Sequence, residues 1–348
     1  AILSSTRKTS SCVTKRKAQS SSIKDVAALA GVSIATVSRV VNGVANKASA
    51  ETVERVRKAI ATLEYRTTSA GRDLRQRTSR LVAVLAANLS NPAMAAIAAS
   101  AETALRRSGL VMVLCDTHDQ PDLQDEYLRE MLAQQARAIV LLGAVESPTL
   151  RRLQGSTTPV VFVNRRNPTG AAGSFIGIDN RQAGEDVARW AIKLGLQNTA
   201  LIHAPKTSSA TRDRVAGILF GFAAAGAPIQ DHLVLSPNAG DHLNIGLQAA
   251  QQLLAMGLAP DLVIGTSDLI AFGAARAWRE AGRPAVPRMI GFDDSPMNEW
   301  LAPELSSVRI PYDAFGAAIV QALSMQNTPA QIVLHHEIIE RPKPPSDQ

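Results

Sequence analysis

The sequence predicts a small all-α head that contains a helix-turn-helix, followed by a larger α/β body of two parallel-sheet subdomains. Three observations lead to this fold class. Residues 22–66 hold three short segments with apolar residues at helical spacing. From Leu81 onward, short apolar strands alternate with amphipathic helices, which is the rhythm of a parallel sheet. The basic residues, finally, are concentrated before the body begins.

The net charge differs sharply between the two parts. Residues 1–80 carry 16 Lys and Arg against 5 Asp and Glu, a net charge of +11, whereas the rest of the chain carries 21 against 25, a net charge of −4. A basic head on a mildly acidic body is typical of a phosphate-binding module, because neutralising phosphates releases counterions. A merely solubilising basic face is the alternative. Residues 1–21 are polar and basic without apolar periodicity, which predicts a disordered tail.

Three helices are predicted in the head, and they are Ile23–Ala30, a second helix that Ser33 caps and that runs through Asn42, and about Ala50–Leu63. Ser22 and Asp25 stand near the spacing of a capping box at the first of them. In a helix-turn-helix, the second helix enters the major groove of DNA and its first turn contacts the bases.

The second helix carries the residues that we expect to touch DNA. Ile34 and Ala35 offer apolar contact, for example to a thymine methyl group, and Arg39 can bond guanine O6 and N7. Five short polar or basic side chains are suited to phosphate oxygens, and they are Lys24, Ser33, Thr36, Ser38 and Asn42. Helix capping or ordinary surface solvation is the alternative role of these residues.

Eight strands are predicted in the body, and they are Leu81–Ala87, Leu110–Cys115, Ala138–Leu142, Val160–Val163, Ser174–Ile178, Thr199–His203, Leu262–Gly265 and Met289–Phe292. Ligands of open α/β folds bind outside the carboxyl ends of the strands. The loops that follow these strands are therefore where a binding site is expected.

Several function classes find no support in the residues. The two cysteines, Cys12 and Cys115, suggest neither a disulfide framework nor a cysteine metal site, and the histidines have no metalloenzyme spacing. The chain has no nucleophile elbow and no phosphate-binding P-loop motif. It also has no apolar run near the roughly 18 residues of a membrane span and no secretory signal. We expect a cytoplasmic protein that is not an enzyme, has no cofactor or metal, and does not bind membranes.

Two sequence motifs of the head resemble those of a known protein family. Ile23-Lys24-Asp25-Val26-Ala27 and, after the turn, Ala35-Thr36-Val37-Ser38-Arg39-Val40-Val41-Asn42-Gly43 resemble the DNA-binding head of the LacI/GalR family of bacterial regulators. The resemblance extends over nearly the whole chain from residue 22. It implies a body that is similar to periplasmic sugar-binding proteins, with two subdomains and a ligand in the cleft between them. The subdomains would comprise about 81–179 with 310–328, and 180–309 with 329–348.

The resemblance also implies a hinge helix within the linker, residues 67–80, which wedges Leu74 into the minor groove. This sequence departs from the family pattern, because Thr67-Thr68 replaces the usual Pro-Asn and Gly71 lies inside the helix. Glycine costs about 1 kcal/mol relative to alanine there. A plain linker leucine is the alternative for Leu74.

Several polar residues of the body match effector-binding positions of the family. Arg214 and Asp293 match positions that commonly bond a sugar hydroxyl, although a buried ion pair between them is the alternative. Asn164 stands where the family often has Asp, Ser267 where it often has Asn, and His242 where an aromatic residue often covers the ligand. The remaining candidates, which also follow strands, are Asn91 and Asp268.

These features together predict a homodimeric repressor that binds a near-palindromic operator in double-stranded DNA and responds to a small polar effector. A sugar or sugar derivative is the expected effector. The dimer follows from recognition of two matching half-sites. The competing interpretations are a periplasmic-type solute-binding protein, which the helix-turn-helix argues against, and an α/β enzyme with a basic head, for which an acid-base or nucleophile arrangement is lacking.

Overall fold

The structure, a computed structural model, describes residues 21–41, 48–65, 79–153, 155–283, 286–325 and 328–342. The chain divides into two compact units, with the boundary between Thr78 and Ser79. The first unit contains the head and the second contains the body.

Three short helices form the head, as predicted, and they are α1 (Ile23–Ala30), α2 (Ile34–Val41) and α3 (Ala50–Thr62). Ser22 and Asp25 form the capping box at the start of α1. Each helix contributes a valine with no exposed surface to one common core, and these are Val26, Val37 and Val56. This shared core explains how helices of 8, 8 and 13 residues, which are too short to be stable alone, persist together.

Two six-stranded sheets form the body. The first sheet has the order β11-β5-β4-β3-β1-β2, with β1 (Leu81–Ala86), β2 (Val111–Asp116), β3 (Ala138–Leu142), β4 (Val160–Val163), β5 (Ser174–Ile178) and β11 (Gln331–Leu334). The second sheet has the order β12-β10-β9-β8-β6-β7, with β6 (Thr199–Ile202), β7 (Val234–Leu235), β8 (Leu262–Gly265), β9 (Arg288–Asp293), β10 (Ser306–Arg309) and β12 (Glu337–Ile339). The strand pairs are parallel except for β10 with β12. The fold class predicted from the sequence is confirmed.

Helices connect the strands of both sheets. Those of the body are α4 (Pro92–Arg107), α5 (Pro121–Ala133), α6 (Pro148–Arg152), α7 (Asn180–Lys193), α8 (Ser209–Ala224), α9 (His242–Ala255), α10 (Asp268–Glu280), α11 (Asn298–Leu301) and α12 (Phe315–Ser324). We call the first sheet with its helices the first subdomain, and the second sheet with its helices the second subdomain. All eight predicted strands are present within one residue at each end.

The chain passes between the sheets three times. It does so between β5 and β6, through residues 310–314 between β10 and α12, and between β11 and β12. Assigning all of 329–348 to the second subdomain is wrong, because β11 pairs with β5 in the first sheet, and the chain changes sheet only at residues 335–336. The four residues of β11 form an edge strand that pairs with residues more than 150 positions away, so no local pattern identifies their partner.

Glycines allow two pairs of helices in the second subdomain to approach closely. A Cβ on Gly217 of α8 would lie 2.0 Å from the carbonyl oxygen of Arg181 on α7, and one on Gly184 would lie 2.4 Å from that of Arg214. Gly246 of α9 and Gly273 of α10 face the opposite helix in the same way, at 1.9 Å from Ile270 O and Leu243 O. These contacts fix the positions of the helix ends that carry candidate site residues.

Candidate functional sites: a recognition helix and an interdomain cleft

Helix α2 presents its first turn to solvent. Ser33, Ile34, Ala35 and Arg39 are exposed, and Ile34 retains 43% of its surface, which is unusual for an isoleucine in a folded domain. The Ser33 hydroxyl caps α2 by accepting a hydrogen bond from Thr36 N at 3.1 Å. An exposed apolar turn followed by an exposed arginine is a surface that can contact base edges.

The other candidate DNA contacts divide into three groups. Lys24 is exposed on α1, and Thr36 is half-buried, with its hydroxyl 2.9 Å from that of Ser33. Ser38, which the sequence predicted to suit a phosphate oxygen, is buried, with only 7% of the residue exposed. Helix α2 packs against both α1 and α3, and its buried face includes Ser38 as well as Val37. Asn42 and Leu74 lie outside the described residues, as do Thr67, Thr68 and Gly71.

Arg214 is held rigidly inside the second subdomain. Its Nε donates to Asn180 Oδ1 at 2.7 Å, and its Nη1 donates to the carbonyl oxygen of Thr266 at 2.8 Å. Its guanidinium carbon lies 4.6 Å from the centroid of the Phe292 ring. The residue is 7% exposed. Among the described residues, Nη2 has no hydrogen-bond partner, so the guanidinium keeps donors for a ligand.

Asp293 ends β9 in a backbone conformation that few non-glycine residues adopt, with φ at 115°. Its Oδ1 accepts a hydrogen bond from the Tyr312 hydroxyl at 2.6 Å. Burial raises the pKa of Asp293, whereas the positive charge of Arg214 and the Tyr312 hydrogen bond lower it. Arg214 and Asp293 bond to other groups and form no direct salt bridge among the described residues, so the charge of Arg214 acts on Asp293 without direct contact.

The residue after Asp293 anchors this strained turn. The Asp294 carboxylate accepts from Arg309 Nε and from Arg341 Nη2, both at 2.8 Å, and its backbone nitrogen donates to Ser307 Oγ at 2.9 Å. A strained backbone conformation persists only where surrounding interactions hold it in place, and such conformations are found most often at functional sites. The Asp294 network thus fixes the direction of the Asp293 side chain.

A small cavity that is open to solvent lies at this point. Its lining comes from the start of α4 and from loops of the second subdomain, and it comprises Asn91, Pro92, Ala93, Ala96, Asp268, Leu269, Asp293, Ser295, Pro296 and Tyr312. Three predicted effector residues therefore share one cavity, namely Asn91, Asp268 and Asp293. Asn91 caps α4 through a bond from Ala93 N to its Oδ1 at 2.9 Å.

The carboxylate of Asp268 is occupied by its own neighbours. Oδ1 accepts from Ser307 Oγ at 2.6 Å, and Oδ2 accepts from Ser295 N and Asn298 Nδ2, both at 2.9 Å. Burial and the nearby Asp293 charge raise the pKa of Asp268 to about 7, although these three hydrogen bonds oppose the increase. Asp268 lines the cavity, but its polar atoms hold the loop that follows β9.

His242 and Ser267 lie together beside Arg214. His242 Nδ1 is 2.9 Å from Ser267 Oγ, and Ser267 caps α10 by accepting from Ile270 N at 3.3 Å. Burial, followed by the positive charges of Arg214 and Arg165, lowers the pKa of His242, so its ring is neutral at pH 7. A neutral imidazole both donates and accepts hydrogen bonds, which suits a hydroxylated ligand.

Asn164 lies on the opposite side, at the end of β4 in the first sheet. Its φ is 65°, in the left-handed region that asparagine tolerates better than most residues. The two residues that follow Asn164 also make hydrogen bonds near the end of β4. Arg165 bonds Asp119 at 2.5 Å, and Arg166 N donates to Ser209 Oγ of α8 at 2.9 Å, which joins the two subdomains.

Sequence reasoning missed three residues of this site. Asn180 orients Arg214, Asp294 anchors the Asp293 turn, and Tyr312 bonds Asp293. Asn180 and Asp294 come within two residues of the ends of β5 and β9, where polar residues were expected to form a site, so their positions carried a signal. Tyr312 follows β10, a strand that the sequence pattern did not reveal, and no local signal pointed to it.

The described part of the chain offers neither a metal site nor a membrane-spanning helix. No group of three or more His, Cys, Asp or Glu residues there is arranged to hold a metal ion. No helix among the residues described has the length and apolar character needed to cross a membrane.

Comparisons with known families match both units. The head matches bacterial regulatory proteins of the lacI family over residues 22–68. Residues 78–294 match periplasmic binding proteins and the sugar-binding domain of the LacI family.

Curated relatives and solved structures match along most of the chain. MalR of Streptomyces coelicolor, an HTH-type transcriptional regulator, is 32% identical over 92% of this chain and 94% of its own. DegA of Bacillus subtilis, another HTH-type transcriptional regulator, is 27% identical over 92% and 96%. A dimer of the lac repressor bound to operator superimposes with a TM-score of 0.81 at 23% identity, over 93% and 98%. The transcriptional regulator CelR in complex with cellobiose has a TM-score of 0.67 at 27% identity, over 92% and 99%.

Proposed function

We propose that this chain, which belongs to the LacI family of bacterial regulatory proteins, is a dimeric repressor that a sugar or sugar derivative controls. As a member of that family it is a DNA-binding transcriptional regulator with a sugar-binding type of body, and it is not an enzyme. The repressor role, the dimer, the class of effector and the contacting residues are the parts that we propose.

The arrangement of Arg214 and Asp293 carries the effector proposal. Both are fixed by other groups, at Asn180 and Thr266 for the arginine and at Tyr312 for the aspartate, and neither neutralises the other directly. A hydroxyl group can accept from a guanidinium and donate to a carboxylate, and charged partners make both bonds strong. A polyhydroxylated ligand therefore matches this pair better than an apolar one.

The complete effector set that we propose is Asn91, Asn164, Arg214, His242, Ser267, Asp268 and Asp293. Asn91, Asp268 and Asp293 line the cavity, whereas Asn164, Arg214, His242 and Ser267 are not part of its lining. In this proposal the polar atoms of Asp293 and Arg214 bind the ligand, and Asp268 maintains the shape of the loop. The solved complex of the regulator CelR with cellobiose supports this class.

For operator binding we propose Arg39 as the base-reading residue, with Ile34 and Ala35 in apolar contact. Lys24, Ser33, Thr36 and Asn42 are the proposed phosphate contacts, and Leu74 is the proposed minor-groove wedge. Ser38 leaves this set because it is buried. Paired recognition helices on a near-palindromic operator double the number of contacts, which is the physical reason for a dimer.

Exposed apolar side chains of the body support the dimer. Trp300 is 82% exposed on the short helix α11, and its neighbours Met297 and Leu301 are 47% and 54% exposed. In the first subdomain, the edge strand β2 leaves Val111 51% and Leu114 40% exposed. Clustered exposed apolar residues are characteristic of interaction surfaces.

A thermal-shift screen of sugars, sugar acids and nucleosides tests the effector proposal, because a ligand stabilises the state it binds. We expect a neutral sugar to raise the melting temperature of the wild-type protein but not that of Arg214→Ala. Arg39→Ala is the control, since a change in the head leaves the cleft intact. Stabilisation only by an apolar compound, or equal stabilisation of Arg214→Ala by the sugar, would refute the assignment.

The repressor proposal is tested by transcription from a promoter that overlaps an operator selected from random DNA. We expect the protein to reduce transcription and the stabilising sugar to alter that reduction. Increased transcription on binding would make the protein an activator.

A further inference from the structure

Residues 310–314, which we call the crossing segment, link the effector carboxylate to the first subdomain. At one end, the Tyr312 hydroxyl donates to Asp293 Oδ1 at 2.6 Å. At the other end, Ser100 Oγ of α4 donates to the carbonyl oxygen of Asp313 at 2.7 Å. The same Ser100 oxygen accepts from Gly316 N at 2.9 Å. Asp293 is therefore connected to α4 through its hydrogen bond with Tyr312, the peptide bond from Tyr312 to Asp313, and the hydrogen bond of Asp313 with Ser100.

The far end of this connection is rigid. A Cβ on Gly316 would lie 2.1 Å from the carbonyl oxygen of Ser100, so α12 starts in direct backbone contact with α4. Phe315, which is 1% exposed, lies 5.9 Å from the Tyr312 ring between the centroids. A displacement of Tyr312 would therefore be passed to α4 rather than absorbed by a loose loop.

The near end faces the ligand cavity. Asp293 and Tyr312 both line it, together with Pro92, Ala93 and Ala96 from the first turns of α4. Asp293 Oδ2 has no hydrogen-bond partner among the described residues, so a ligand can bond this oxygen while Tyr312 holds the other. A ligand that hydrogen-bonds to one carboxylate oxygen alters the charge on the other oxygen. It therefore alters the hydrogen bond that this other oxygen accepts from Tyr312.

We propose that Tyr312 and Ser100 form a relay that transmits effector binding at Asp293 to α4, and thereby couples the cleft to operator binding. This inference rests on the proposed function and assigns its regulation to two residues outside the proposed ligand and DNA contacts. Because the two bonds act in series, loss of either one interrupts the relay. Loss of both then has no further effect.

The experiment measures how much a sugar changes operator affinity. The operator is a duplex selected from random DNA with the wild-type protein, and the sugar is whichever of maltose, cellobiose and galactose raises its melting temperature most. The ratio of operator Kd with and without sugar is measured for the wild type, Tyr312→Phe, Ser100→Ala and the double variant. Tyr127→Phe is the matched control, because it removes a tyrosine hydroxyl from helix α5, away from the crossing segment.

We expect a wild-type ratio that departs from 1 by about fivefold or more. In Tyr312→Phe, in Ser100→Ala and in the double variant the ratio, measured at saturating sugar, falls to within twofold of 1. Ser100→Ala, whose side chain does not line the cavity, binds the sugar within tenfold of the wild-type Kd. Tyr127→Phe retains the wild-type ratio. Loss of the ratio in Ser100→Ala with an unchanged melting temperature and unchanged operator affinity in the absence of sugar is the result that a merely structural role would not give.

Wild-type ratios in both single variants would overturn the relay while leaving the proposed function intact. If Tyr312→Phe does not fold, Ser100→Ala decides the question alone. A wild-type protein whose operator affinity responds to none of the three sugars would contradict the sugar control in the proposed function, and the relay with it.

Discussion

At the scale of single residues, the head and the cleft use arginine in opposite ways. Arg39 is exposed on α2, where its guanidinium can meet a base edge, whereas Arg214 is buried and already bonded to Asn180 and Thr266. The planar guanidinium with its five donors suits both proposed roles. A lysine in place of either arginine could fill neither role, because its ammonium group is not a planar fork of donors. The surroundings of each arginine, rather than its chemistry, distinguish the proposed DNA contact from the proposed ligand contact.

Replacing Arg39 with alanine is expected to weaken operator binding by about 1–3 kcal/mol and to relax the preference at one base pair, because a bidentate contact to guanine is lost. Fluorescence anisotropy with single-substituted operators at fixed salt measures both effects. Lys24→Ala is the control, because loss of a phosphate contact weakens all sequences equally and reduces the salt dependence. If Arg39→Ala also weakens all operators equally, Arg39 contacts the backbone and not a base.

Asp268 makes the stability of the body depend on pH. Its pKa of about 7 in the folded protein lies above the value of about 3.9 expected when unfolded, so the folded state binds more protons between these values. Its contribution to the free energy of unfolding therefore falls as the pH rises from about 4 to 7. The slope approaches about −1.4 kcal/mol per pH unit in the middle of this range.

Asp268→Asn isolates this contribution. The asparagine does not titrate, so the difference in unfolding free energy between wild type and variant should change across pH 4–7 and become constant above about pH 8. Urea unfolding at each pH measures it, and the difference cancels the effect of the histidines. A difference that does not vary between pH 4 and 7 would mean that Asp268 stays ionised throughout.

At the scale of helices and strands, apolar patterning predicts the strands that are themselves rich in apolar residues. The eight predicted strands include the edge strand β2, whereas the edge strands β7, β11 and β12, of two to four residues each, were not predicted. Strand β10 lies inside the second sheet but reads Ser306-Ser307-Val308-Arg309, with both serines fully buried. Its serines bond Arg341 N and Asp268 Oδ1, which satisfies them in a way the local sequence does not disclose.

Close crossing of α7 and α8 is expected to be needed for effector binding. In Gly217→Ala the new methyl group meets the Arg181 carbonyl at 2.0 Å, so the helices must separate at a cost of about 1–3 kcal/mol. Their separation lengthens the 2.7 Å bond between Asn180 on α7 and Arg214 on α8. We therefore expect a lower urea midpoint and a sugar affinity reduced by about tenfold or more, because the loss of a hydrogen bond to a charged group is worth about that much.

Ala216→Ser serves as the control for this change. It adds one heavy atom to an exposed neighbour on the same helix, and its free energy of unfolding should stay within about 0.5 kcal/mol of the wild type. Unchanged stability and sugar affinity in Gly217→Ala would mean that the two helices can separate without disturbing Arg214.

At the scale of the whole molecule, apolar surface and charge separate the functions of the chain. The residues before position 81 carry a net charge of +11 and the rest carry −4. The body, in contrast, exposes a tryptophan and other large apolar side chains. This division suits a protein whose head binds a polyanion and whose body associates with a second copy.

Trp300→Glu is expected to shift the protein from dimer to monomer. A charge in an apolar interface must be desolvated, which costs several kcal/mol and raises the dimer Kd by at least about a hundredfold. Sedimentation equilibrium at several concentrations measures the change, and circular dichroism checks the fold. Met256→Glu is the control. Met256 directly follows α9 and is an isolated exposed residue, with 52% of its surface exposed, so this variant should remain dimeric. A dimer of unchanged strength in Trp300→Glu would exclude this surface.

The sequence by itself determined the class of the protein, the head helices and eight of the twelve strands that the structure describes, and it indicated the candidate site residues. Helix caps, apolar periodicity and strand-end motifs are local, so their information lies within a few neighbouring residues. The tertiary structure alone decided that Ser38 is buried, that β11 joins the first sheet, that Asp268 is bonded by its own loop, and that Tyr312 bonds Asp293. Each of these depends on which distant surfaces pack together, and the free energy of such packing is set by complementary shapes and bonds that no local pattern contains.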